Sequence, residues 1–324
     1  MSRLTLLLII VTCLSISVLA NITTETQWRY FKLTYRKLYS KVEDRYRFAV
    51  FQRNLLLAQK YQAANPNAKF GVTQFSDLTP AEFKARYLGL RIRTNTSEKS
   101  NYYKPKITDI PAAWDWKEKG AVTSVKNQGN CGSCWAFSAI QNIEGLNFLK
   151  NRPLVDLSEQ QLVDCDQIDQ GCNGGEMQIA FQWLADHGGV ASQEDYPYKG
   201  YGQTCKFSAS MAKVQVTGYL NISTDETEIA KSLIEIGPLS IGVVADPWQF
   251  YIEGIMGPTL CDGELDHGVL LVGYGHGKGI ISEADFWLIK NSWGGGWGEY
   301  GYIRLERGYN ACGMNKDVST ATIA

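Results

Sequence analysis

The chain has 324 residues, 44% apolar and 20% charged, a composition that excludes a disordered or collagen-like protein and suits a globular one with a sizeable core. Its 32 basic and 33 acidic residues leave a net charge of -1, so nothing global points to nucleic acid or an anionic membrane as a partner. The balance hides an asymmetry: residues 21–109 carry 17 Lys and Arg against 7 Asp and Glu, whereas residues 110–324 carry 14 against 26. The first stretch reads as built to lie on the second.

In chain order, Arg3 precedes an apolar run from Leu4 to Ala20, shorter than the ~20 apolar residues of a membrane-spanning helix. Val18-Leu19-Ala20 fits a signal-peptidase site, so residues 1–20 are expected to be a signal peptide and the rest a chain with no membrane span that has passed an oxidising lumen. Asn21, Asn95 and Asn221 each open a glycan-acceptor triplet. Glu43, Arg47, Phe51, Asn54, Ala58 and Gln62 share one stripe of a helix, which on spacing alone is an amphipathic surface helix. Asn65-Pro66 stops it. Phe70 to Phe75 alternates like a strand, and Thr79 is placed to cap a helix that begins at Pro80. The polar stretch from Arg91 to Lys106 reads as a linker open to a protease.

From Ile110 the character changes to tryptophan, glycine and cysteine. Helices are expected from Ser133 to about Lys150, with Ser133 as cap, from the capping box at Ser158, and from Met177 to His187. Strands are expected at Leu239 to Ala245, Val269 to Gly273, Phe286 to Lys290 and Tyr300 to Leu305. This order implies a mainly helical part over about 110–218, a mainly β part over about 219–324, and a cleft between them.

Loss of the leader removes Cys13 and leaves cysteines at 131, 134, 165, 172, 205, 261 and 312, an odd number. In an oxidising compartment that implies disulfides plus one free thiol. Cys131 and Cys134 have C-x-x-C spacing, open to a zinc half-site or a dithiol redox pair; no second close Cys/His pair supports zinc. Placed just after a helix start, Cys134 would be acidified by the helix dipole and become a nucleophile. A base is then needed, and His187, His267 and His276 are the candidates. His187 ends a helix, His276 sits among glycines in an expected turn, and His267 opens a strand, which gives it a modest lead.

The run Gln128-Gly129-Asn130-Cys131-Gly132-Ser133-Cys134-Trp135 carries the C-G-[SA]-C-[WY] signature and resembles the nucleophile region of papain-like cysteine proteases. Asp266-His267-Gly268 and Asn291-Ser292-Trp293 resemble the segments bearing that family's histidine and asparagine. The stripe from Glu43 to Gln62 looks like the ERFNAQ form of its propeptide helix, and Gly71, Thr73, Phe75 and Asp77 match its G-x-[NT]-x-F-x-D motif. These motifs favour a cathepsin F-like member of the cathepsin L/F group.

The resemblance implies an α+β fold, with a helical left domain, a β-barrel right domain and a cleft between, preceded by a helical inhibitory propeptide over 21–109 and a mature domain over 110–324. It implies Cys134 and His267 as a thiolate–imidazolium pair, Asn291 as the group orienting His267, Trp293 as its shield, and Gln128 as an oxyanion donor. Bridges Cys131–Cys172, Cys165–Cys205 and Cys261–Cys312 are likewise implied. Gly174 and Gly175 would hold the substrate backbone. Met177, Gly242, Leu265, Gly268 and Asp317, beside Asp266, would line the pocket for the second residue upstream of the cut. Two glycines and two apolar residues suit Leu, Phe or Val there, and Asp317 would admit Arg as a minor choice. Without a paired-histidine loop between Gly175 and Cys205, an endopeptidase is expected.

Further implications are protein and peptide substrates, the chain's own propeptide as an intramolecular inhibitor, cystatin-type inhibitors, a monomer, no cofactor or metal, and a lysosomal or extracellular location. Mild acid should neutralise carboxylates beneath the basic propeptide and start self-cleavage between about Arg91 and Ile110. Two rival readings are a secreted disulfide oxidoreductase using Cys131 and Cys134, and an idle binding protein on the same fold.

Overall fold

Helix-forming periodicity and capping decide the first layer. The computed structural model describes residues 24–93 and 101–324, so the leader 1–20 and the Asn21 and Asn95 acceptor sites lie outside the described residues. Helix α1 spans residues 24–34, and helix α2 spans Lys41–Ala64 with Ser40 Oγ accepting from the Glu43 N–H. Trp28, Phe31 and Phe51 form a small core between them. The α2 stripe is more than a surface face. Arg47 reaches Glu82 at 2.8 Å, Asn54 donates to the Ser76 and Leu78 carbonyls, and Gln62 pairs with the backbone of Ala68 and Phe70.

The alternation over Phe70 to Phe75 yields a strand only at its start. Strand β1 is Ala68–Phe70; the chain then turns, with Thr73 N–H on Ser76 Oγ and Ser76 N–H on the Thr73 carbonyl. Short polar side chains there compete successfully with a ladder. Helix α3, Pro80–Tyr87, has a reciprocal capping box between Thr79 and Glu82. The expected linker is fastened to the protein past its undescribed middle: Glu235 accepts from Tyr103 Oη and from the backbone N–H of Lys106 and Ile107.

After strand β2 (Trp114–Asp115) come helices α4 (Cys134–Leu149), α5 (Glu159–Cys165) and α6 (Met177–Asp186). Their apolar faces build one core around Trp135, Ile140, Ile143, Phe181 and Leu184. Strands β3 (Val190–Ala191), β4 (Ala212–Val214) and β5 (Val216–Asn221) follow, then helix α7 (Glu226–Ile236), capped by Asp225 and not foreseen from sequence. The remainder is strands: β6 (Leu239–Val243), β7 (Tyr251–Met256), β8 (His267–Lys278), β9 (Glu283–Lys290), β10 (Tyr302–Glu306) and β11 (Val318–Ile323).

They join in the order β1-β7-β10-β9-β8-β6-β11-β5, with β2 on β8. This sheet encloses a second core rich in Trp248, Trp287, Trp293 and Trp297. The division near residue 218 is crossed at both ends, since Trp116 packs in the sheet's core and Ala321 in the helical one. His276 lies in β8 opposite Asp285, exposed, and not in a turn.

Candidate active site

Helix α4 runs between the two cores, buried from Cys134 to Asn147, and delivers Cys134 at its first turn. The thiol is fully buried and is the free cysteine of the described residues. Ser133 does not cap α4 with its side chain; its hydroxyl pairs with the Tyr198 hydroxyl at 2.7 Å. Cys134 Sγ accepts from the N–H of Gly268 at 3.4 Å and of Gly89 at 3.3 Å.

His267 opens β8 in register with Val243 of β6, and Asn291 follows the end of β9. His267 Nε2 lies 2.8 Å from Asn291 Oδ1, while Nδ1 has no hydrogen-bond partner. That bond assigns the proton to Nε2 and leaves the Nδ1 lone pair available as a base. Trp293 stacks on the imidazole with centroids 4.6 Å apart. Gln128 is held by Ser292 Oγ and Trp293 Nε1, which both donate to its Oε1; its Nε2 donates to the carbonyls of Cys131 at 2.9 Å and Tyr87 at 3.2 Å. A carbonyl of the amino-terminal segment is thus already received by that amide.

A helix start is expected to acidify the thiol, but here burial wins. It pushes Cys134 up to about 11 against the pull of the Gly268, Gly89 and Trp135 N–H groups. Burial also pushes His267 down to about 4, with the Asn291 bond opposing it. Beneath residues 87–91 burial therefore favours the neutral thiol and the neutral imidazole; the expected ion pair belongs to the uncovered enzyme.

The cover is a thread of backbone. Gly175 N–H donates to the Gly89 carbonyl and Arg91 N–H to the Gly175 carbonyl, both at 2.9 Å, and Leu90 N–H donates to the Asp266 carbonyl at 3.0 Å. Gly174, at φ 121°, turns the chain into this strip. The Leu90 side chain enters a pocket: a Cβ on Gly242 would lie 2.8 Å from Leu90 Cδ2, 3.1 Å from Leu265 Cδ1 and 3.2 Å from Asp317 Oδ2. A Cβ on Gly268 would meet Met177 Sδ at 3.0 Å. Asp317 therefore borders the pocket; Gln178 donates to its Oδ1, its Oδ2 is unpartnered, and burial pushes its carboxyl up to about 6.

The bridges are Cys131–Cys172, Cys165–Cys205 and Cys261–Cys312. Since Cys131 is bonded to Cys172, the dithiol of a Cys131/Cys134 oxidoreductase does not exist in this fold. Asn221 is half-buried at the end of β5, its backbone paired with Asn101 and Tyr103. Sequence reasoning missed Gly89 and Leu90, which carry no motif. It also missed the buried Lys126–Glu144–Glu159 ion cluster that joins α4 to α5.

The geometry agrees with comparison to known proteins. The model of the Papain family cysteine protease matches residues 110–322, and that of the Cathepsin propeptide inhibitor domain (I29) matches residues 28–83. Cysteine proteinase 15A of Pisum sativum is 44% identical over 319 residues, 94% of this chain and 88% of that protein. Cathepsin F of Mus musculus is 46% identical over 299 residues, 90% of this chain and 64% of that protein. The structure of digestive procathepsin L2 from Tenebrio molitor superposes with a TM-score of 0.85 at 34% identity, covering 92% of this chain and 99% of that one. Among the described residues no helix is long and apolar enough to cross a membrane. The chain belongs to the papain family of cysteine proteases and carries its inhibitory propeptide.

Proposed function

We propose that this zymogen matures into a lysosomal or secreted endopeptidase in which Cys134 attacks the scissile carbonyl and His267 protonates the leaving amine. Asn291 holds the imidazole, and Gln128 with the Cys134 backbone N–H receives the oxyanion; loss of such a donor costs on the order of 10² to 10³ in turnover. The observation that carries this reading is the His267–Asn291 bond, which leaves Nδ1 unpaired within the site that also holds the buried Cys134 thiol. Uncovering rehydrates both groups and restores the conditions for a thiolate–imidazolium pair.

Leu90 in the pocket of Met177, Gly242, Leu265 and Gly268 supports a preference for Leu, Phe or Val at the second residue upstream of the cut. Asp317 at its edge supports Arg as a minor choice. Maturation cuts the chain between about Arg91 and Ile110 and is fastest in mild acid. The test is to bring purified protein to mild acid and treat it with a thiol alkylator without reductant. Peptide mass mapping should find a single adduct on Cys134, appearing only as the proregion is lost and together with peptidase activity. Labelling of Cys134 with no peptidase activity refutes the reading.

A further inference from the structure

The two donors of the proposed oxyanion hole sit at the ends of one turn. Gln128 supplies its side-chain amide, and the peptide joining Ser133 to Cys134 supplies the N–H; residues 129–132 bridge them, with Gly129 at φ 61°. A developing oxyanion is stabilised by both only if their separation is fixed before the reaction. Within the turn the Cys131 carbonyl accepts from Gln128 Nε2 at 2.9 Å and from the Ser133 N–H at 2.8 Å.

Tyr198 ties the same two residues a second time. Its hydroxyl donates to the Gln128 backbone carbonyl at 2.8 Å and lies 2.7 Å from Ser133 Oγ. A carbonyl only accepts, so the phenolic proton goes to Gln128 and the Ser133 hydroxyl donates to Tyr198. That contact is much shorter than the 3.5 Å from Ser133 Oγ to the Cys131 carbonyl. The tyrosine is itself fixed. Its ring packs edge-on to Phe137 of α4 with centroids 4.9 Å apart, and the N–H of the next residue, Lys199, donates to Gln160 Oε1 of α5 at 2.7 Å. On the other side Ser158 Oγ donates to the Tyr196 carbonyl at 2.6 Å. Burial holds the Tyr198 phenol above its ordinary 10, so it stays a donor in acid and near neutrality.

We infer that Tyr198 is a positioning residue for the oxyanion hole: its hydroxyl sets the separation of the Gln128 amide and the Cys134 N–H by holding Gln128 and Ser133 together. It acts through those two residues and leaves the thiol–imidazole pair as it is. The inference rests on the peptidase reading.

The test compares wild-type and Tyr198→Phe mature enzyme, a change that removes one oxygen and keeps the ring on Phe137. On a peptide amide, kcat should fall roughly five- to thirtyfold, less than the ~10² to 10³ of losing a donor outright, while KM stays within about twofold. Affinity for a peptide aldehyde should fall by a similar factor. There Cys134 Sγ bonds to the aldehyde carbon, the thiol proton passes to the oxygen, and that oxygen occupies the same hole. Alkylation of Cys134 by iodoacetamide displaces iodide and builds no oxyanion, so its rate and pH profile should not change. In a Gln128→Ala background the Tyr198→Phe loss should shrink below about threefold, because one of the two spaced donors is gone. Ser133→Ala removes the other hydroxyl; it should lower kcat and aldehyde affinity together by about two- to fivefold, and it carries the test if Tyr198→Phe fails to fold. An unchanged kcat, a rise in KM alone, an equal loss in alkylation rate, or a full loss repeated in the Gln128→Ala background overturns the positioning role while leaving the peptidase. A wild-type enzyme that cuts no peptide sinks the peptidase reading and this inference with it.

Discussion

Residues 68–87 and residues 88–93 of the proregion hold the enzyme by different physics. The first length adds buried aromatic side chains to its backbone bonds: β1 pairs with β7, Gln249 Nε2 donates to the Phe75 and Leu78 carbonyls, and Phe75 and Phe83 pack edge-on to Trp293. The second lies over Cys134 mainly through backbone, with Leu88 and Leu90 as its buried apolar side chains. Grip and blockade are therefore separable. Apolar burial stabilises the anchor beside the cleft, while the thread that hides Cys134 adds directional bonds and little apolar area.

The largest effect should come from breaking the anchor. Phe83 is fully buried among Phe75, Tyr87 and Trp293, with ring centroids 5.1 to 5.6 Å away. Phe83→Ala should destabilise the anchored proform by about 3–5 kcal/mol, the usual range for a buried Phe. Urea unfolding in a Cys134→Ala background measures this without self-cleavage, and a loss below about 1 kcal/mol would place the anchor elsewhere.

A smaller and more local effect is expected in the thread. A Cβ on Gly89 would lie 1.9 Å from the Gly132 carbonyl oxygen, a backbone atom that cannot swing away. Gly89→Ala should cost about 1–3 kcal/mol of overpacking, relieved by lifting the thread. Alkylation of Cys134 in the uncut proform should then speed up roughly 10- to 100-fold, and urea stability should fall by no more than that same cost. An unchanged alkylation rate would mean that the thread is not what shields the thiol.

How much of this was legible depends on where the information lies. Cys134, His267, Asn291 and Gln128 sit in short motifs, because the roles proposed for them, nucleophile, base, orienter and donor, each demand one residue type beside a particular turn. Helices α4 and α6 announced themselves through apolar periodicity. The thread did not, since Gly89 and Leu90 act through backbone and shape. Asp166 and Asp169 gave no signal either, standing with Asp164 in an ordinary acidic stretch until folding brings Arg93 to Asp169. The direction of the Cys134 shift was missed because burial under a distant segment outweighs a helix start that is visible locally.

The smallest effect concerns the charge asymmetry that suggested acid activation. Lys84 bridges to Asp266 at 3.1 Å and Asp246 at 3.5 Å but is 55% exposed. Lys84→Met should therefore cost no more than about 1 kcal/mol. Its carboxylate partner also has the wrong sign to drive release. Burial raises Asp266 to about 6, so the closed form binds that proton more tightly than a free acid and is favoured as pH falls through 6. His267 has the right sign: held down to about 4 from an ordinary 6.5, it makes the closed form lose stability as pH falls from 6.5 toward 4. The proposed acid release is then expected to follow from charging a buried imidazole more than from neutralising a surface. Lys84→Met should leave the acceleration of self-cleavage between about pH 7 and 4 nearly intact, shifted by less than about fivefold at any pH. If the variant abolishes the acceleration, the paired surface charges govern activation and the imidazole does not.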